Sequence, residues 1–163
     1  MIRGHSVMRL LTLSIVLVGF LIASPLAQGR SSSTRSDMDK HSRAYIKQVR
    51  GCVTIATLSL SIAGKQSAIK ASETVKTAAD TCDTIRSRLA GMNTDHFDKQ
   101  AITAWGGVDR IKSGLNAFVS YIDTRYPSKL NEAKGKLGQG AAWARIGVRG
   151  INLRRHVYGL GSI

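Results

Sequence analysis

Residues 36–64 read SDMDKHSRAYIKQVRGCVTIATLSLSIAG. Met38, Tyr45, Val49, Cys52, Ala56, Leu60 and Ala63 recur at spacings of three, four or seven, which puts them on one face of a helix. Ser36 with Asp39 resembles a capping pair at its start, and Gly64 is placed to end it. A second stripe follows from about Ser67, formed by Ala68, Ser72, Val75, Ala79, Cys82, Ile85 and Leu89, with Gly91 to Asn93 closing it. The two segments face one another across a turn at residues 64–67.

Cys52 and Cys82 are the only cysteines, and both lie on these stripes. They are equidistant from position 67, inside the turn. In an antiparallel hairpin, residues equidistant from the turn stand at the same height, so the spacing predicts a Cys52–Cys82 disulfide. No Cys-x-x-Cys spacing is present, which argues against a redox site.

Further along, Thr94 is a candidate N-cap with Asp95 and Asp98 in the first turn. Phe97, Ala101, Trp105, Val108, Ile111, Leu115, Phe118 and Ile122 carry the helical period to Tyr126, where Pro127 stops it. Gly106-Gly107 is placed to kink or split this third helix. Ser128 is a candidate cap for a fourth, through Leu130, Ala133 and Leu137. Gly135, Gly138, Gly140, Gly147 and Gly150 each weaken a helix by about 1 kcal/mol relative to Ala. Residues 139–156 therefore read as a weak helix, and 158–163 as a frayed tail. No sustained period-two pattern occurs. The expected fold is all-α, an antiparallel bundle of three to four helices with one inter-helix disulfide, over residues 37–157.

Upstream, Arg3 and Arg9 precede an apolar run from Leu10 to Ala23, and Pro25 and Ala27 follow. The run has about 14 residues, short of the ~20 that span a bilayer, so residues 1–28 read as a signal peptide. Residues 29–36 are polar and Ser-rich and read as a flexible linker. The expected location is secreted or periplasmic, where a disulfide persists. An uncleaved segment would instead make the protein membrane-anchored.

The chain carries a formal charge of +14; loss of Arg3 and Arg9 lowers it by two to +12. Residues 30–59 contribute +4 and residues 127–163 contribute +6, while each of the two intervening segments contributes +1. The excess sits at the two ends, and in an up-down-up-down bundle the first and last helices are neighbours. In the last segment Lys134, Lys136, Arg145, Arg149, Arg154 and Arg155 surround Trp143. Cations beside an aromatic anchor suit an anionic membrane surface or envelope polymer, such as acidic phospholipid, lipopolysaccharide or a teichoic-type polymer. Nucleic acid fits less well, because no nucleic-acid-binding module is visible.

Candidates for chemistry are sparse. His41 and Tyr45 stand at i and i+4, where both would reach one haem iron; a small-ligand (haem) carrier is thus the alternative function. The plainer reading is a surface His beside a core Tyr. Asp80 with Asp83, and Asp95 with Asp98, are paired carboxylates near Arg86, Arg88 and Lys99, which surface ion pairing explains. No serine lies in a Gly-x-Ser-x-Gly turn, and no metal-ligand spacing is present. A hydrolase acting on the cell envelope is the remaining alternative. The sequence therefore leads to a non-enzymatic, exported, basic helical protein with no cofactor and no metal.

Overall fold

In a computed structural model, residues 31–163 are described; the expected signal peptide lies outside them. Four helices follow one another: α1 (Ser32–Ala63), α2 (Ala68–Ala90), α3 (Asp98–Thr124) and α4 (Pro127–Val157). No strand occurs among the described residues. Each helix runs antiparallel to the next. Cys52 pairs with Cys82 across α1 and α2, and Ser72 with Asp123 across α2 and α3. Asp39 with Arg155 does the same across α1 and α4, closing an up-down-up-down bundle.

The hairpin register is the expected one. The Cys52 and Cys82 sulfurs lie 2.19 Å apart with Cα atoms at 5.1 Å, both side chains fully buried. Such a pair is consistent with an oxidising compartment. Intact-mass measurement is expected to show two alkylatable thiols only after reduction. Replacing both by Ala is expected to cost roughly 3–4 kcal/mol, the chain-entropy contribution for a loop of this size.

The helix boundaries shift in informative ways. α1 begins at Ser32, so residues 32–36 are helical and not the linker expected. The Arg35 guanidinium donates to Gly159 O, which ties this first turn to the tail after α4. On α2 the buried positions are Ala71, Val75, Ala78, Ala79, Cys82, Ile85 and Leu89, while Ala68 is exposed and Ser72 half-buried. α3 starts at Asp98, after a tight turn in which the Thr94 hydroxyl donates to the Asp98 carboxylate. Pro127 does not merely stop α3. It occupies the first turn of α4, where its missing N–H has no helical partner to lose.

The largest departure concerns the glycines. α4 is one unbroken helix of 31 residues, and α3 passes through Gly106-Gly107 without a break. Ala104 meets Gly147, Gly107 meets Ala144, Ile111 meets Gly140, and Gly114 meets Leu137. A Cβ on Gly107 would lie 2.3 Å from the Ala144 amide nitrogen, and one on Gly147 would lie 2.5 Å from that of Ala104. The two backbones are therefore in contact from Ala104 to Gly114 on α3 and from Leu137 to Gly147 on α4. The intrinsic helix penalty of each glycine is offset by the close packing it permits.

Residues 158–163 are not helical, yet they are not frayed. Leu160 N donates to Arg155 O, the Arg155 Nε to Gly161 O, and the Arg50 guanidinium to the main-chain oxygen of Ile163. Asn152 exchanges two hydrogen bonds with the Ile163 backbone. This tail lies along the α1 and α4 ends and satisfies polar groups on both.

Candidate functional site

The seven residues expected to form an anionic-surface site separate in space. Arg155 is fully buried. Its guanidinium donates to the Asp39 carboxylate at 2.6 Å and to Ser42 Oγ at 2.6 Å. It is a clamp between α1 and α4, so it leaves the set. Lys136 donates to Glu132 at 2.7 Å and Lys129 to the same carboxylate at 2.9 Å, which together hold the Glu132 pKa down to about 2. Arg154 donates its Nε to His96 O. Trp143 is 40 % exposed, but its ring stacks beneath Arg110 at 4.1 Å and covers Gly106. That ring packs one face against α3. Lys134, Arg145 and Arg149 remain exposed, with no Asp or Glu partner among the described residues.

What the sequence reading lacked was their complement on α1. Arg43, Lys47 and Arg50 stand at i, i+4 and i+7 and share a groove edge with Ile46 and Ile163. Arg50 continues into a neighbouring groove of about 310 Å³, floored by Val49, Val53, Ala144 and Val148 and flanked by Arg145. Arg145 in turn borders a third groove with Arg149, Asn152 and His156. One band of cations thus runs along the α1–α4 seam. Arg43 is neutralised by Asp39 at 2.9 Å; Lys47, Arg50, Arg145 and Arg149 have no Asp or Glu side chain as partner among the described residues. The signal for the α1 half was present as the 43-47-50 spacing, but the charge count alone did not single it out.

The groove has a structural cause. α4 is drawn onto α3 by its glycine face, while toward α1 it presents the longer side chains of Arg145 and Val148. At the far end the Arg155 clamp fixes α1 to α4. Between clamp and disulfide level, the α1–α4 side is left less closely filled than the α3–α4 side.

Tyr45 is 1 % exposed, and its hydroxyl donates to Ala101 O at 2.9 Å. Its ring meets Phe97 edge-on at 5.6 Å. Burial pushes its pKa well above the usual phenol range, so a phenolate ligand at this position would have to break a core hydrogen bond. His41 is half-buried on the same helix. No group of three or more His, Cys, Asp or Glu side chains suited to a metal ion occurs among the described residues. Asp83 accepts from Arg86 at 2.9 Å and lies 3.4 Å from Lys112; these cations, Arg86 foremost, hold its carboxyl below the usual carboxylate range. Asp80 is exposed beside a shallow groove lined by Thr77, Thr81 and Arg88.

At the opposite end of the bundle Ile62, Ile69 and Tyr126 are exposed around the α1–α2 turn and the start of α4, beside Lys65, Lys70 and Lys129. No helix among the described residues is long and apolar enough to cross a membrane. The chain matches no known protein family, no curated protein and no solved structure.

Proposed function

We propose that this is a non-enzymatic protein of an oxidising compartment outside the cytoplasm, which binds an anionic envelope component through the α1–α4 seam. The observation that supports it is the band of Lys47, Arg50, Arg145 and Arg149, none with an Asp or Glu side chain as partner among the described residues, supplied by two helices distant in sequence. The relevant ligand is an acidic lipid surface or an acidic polymer. Both offer closely spaced anions, and arginine meets phosphate and carboxylate through two parallel N–H donors.

Co-sedimentation with vesicles of phosphatidylglycerol and phosphatidylcholine, at rising salt, tests this reading. Binding is expected to weaken steadily with salt. Replacing Lys47, Arg145 and Arg149 together by Gln is expected to weaken it about 100-fold, since each cation near an acidic surface contributes about 1 kcal/mol. Replacing Lys70, Lys76 and Arg88 on α2 removes the same charge and is expected to cost far less. Absence of binding, or equal losses in the two triple variants, would overturn the assignment to this face.

A further inference from the structure

We infer that the α1–α4 groove is a site for a single-chain anionic amphiphile, a long-chain fatty acid, with its carboxylate between Arg50 and Arg145. The inference rests on the basic face proposed above and adds to it a defined ligand. The floor is made by Val49, Val53, Ala144 and Val148, with no acidic side chain in the lining. A polymer or a bilayer surface uses cations but has no use for an apolar floor. A fatty acid uses both.

Size and charge choose among amphiphiles. At about 310 Å³ the groove stands at the lower end of small-ligand sites, which run from about 300 to 1,000 Å³. That suits one slender chain and not a two-tailed lipid. The lining covers residues 49–54 of α1 and 141–148 of α4, about two turns of each helix, so the groove takes the carboxyl end and the first part of a chain and leaves the rest on the surface of the seam. Arg50 and Arg145 sit on opposite walls, and neither has an Asp or Glu partner among the described residues. One carboxylate between them completes two charge-assisted hydrogen-bonding groups while its tail covers valines. The Arg50 guanidinium holds the main-chain oxygen of Ile163 by one contact, which orients it beside the groove and leaves further donors.

The test is titration of the full-length protein with cis-parinaric acid, a fluorescent fatty acid, below the concentration at which it forms micelles. Saturable one-to-one binding is expected, displaced by hexadecanoate at least tenfold more effectively than by uncharged hexadecanol. The Arg50→Gln, Arg145→Gln double variant is expected to lose at least tenfold in hexadecanoate affinity and nothing in hexadecanol affinity. Ala141→Trp is expected to fill the groove and abolish binding of both. That variant keeps every cation, so its vesicle co-sedimentation is expected to equal that of the parent. Non-saturating uptake of the probe would overturn the fatty-acid site, as would an Ala141→Trp protein with unchanged thermal midpoint that still binds the probe. Loss of vesicle binding by the parent protein would instead count against the basic face itself.

Discussion

Gly147→Ala and Gly138→Ala, nine residues apart on one helix, are expected to change stability in opposite directions. The first adds a methyl group 2.5 Å from the backbone of Ala104 on α3. Backbone atoms cannot escape by changing rotamer, so the two helices must separate along the run from Ala104 to Gly114. The expected cost is about 3 kcal/mol, the upper end of the range for overpacking. Gly107→Ala, whose methyl would meet Ala144 N at 2.3 Å, is expected to cost at least as much. A Cβ on Gly138 meets nothing within 4 Å, so there only the backbone entropy of glycine and its poor helix propensity are at stake. Gly138→Ala is expected to stabilise by about 0.5–1 kcal/mol. Urea denaturation of the three variants measures both signs. Equal small changes at all three positions would mean that α3 and α4 are not in backbone contact.

The buried clamp gives the second large effect. Arg155 is fully buried, and its compensating charge comes from Asp39, whose side chain is 32 % exposed. Removing the cation with Arg155→Met leaves Asp39 a second partner, Arg43, and access to water. Removing the anion with Asp39→Ala leaves a guanidinium with no solvent contact and no counter-charge. Breaking a buried pair costs about 3–5 kcal/mol when one charge is stranded. Asp39→Ala is therefore expected to fall toward the upper end of that range and Arg155→Met at or below its lower end. Equal effects would contradict the asymmetry of burial.

The same pair predicts a pH dependence. The Arg43 hydrogen bond, and after it Arg155, lowers the Asp39 pKa against an opposing contribution from burial. A carboxyl depressed in the folded state stabilises at pH values above its unfolded pKa of about 3.9. That stabilisation is lost as the pH falls through the lower folded value. The stability difference between the parent and Asp39→Asn is thus expected to be constant near neutrality and to shrink below about pH 4. Asp83 and Glu132 are also depressed, but they are present in both proteins and cancel in the difference.

The amphipathic period identified the faces of α1, α2 and α3, because burial of an apolar stripe is a local property of 3.6-residue geometry. Equidistance of Cys52 and Cys82 from a turn set the hairpin register by the same local logic. α4 was legible as a short helix from Ser128 and a weak one over residues 139–156, not as one unbroken helix. Between Ala133 and Ile151 its inward face is made of Gly140, Ala144 and Gly147, which contribute little apolar area. Small residues read as helix-weakening until a partner backbone is seen against them.

The candidate site divides along the same line. Charge counting placed the excess at both ends of the chain, with Arg145 and Arg149 among the cations around Trp143. That Arg155, six residues after Arg149, points into the core depends on an Asp39 partner 116 positions away. No helical period contains that information. Likewise Arg43, Lys47 and Arg50 acquire meaning only because α1 lies beside α4.

From sequence alone this chain is an all-helical protein with a stapled hairpin and basic ends, since periodicity, turn residues and spacing act within a few residues of one another. Tertiary structure alone decided which glycines bring backbones together, which arginine is buried, and where a groove remains between cations. Those outcomes are set by contacts between segments distant in sequence, where side-chain size and charge compensation on one helix take their effect from what another helix presents.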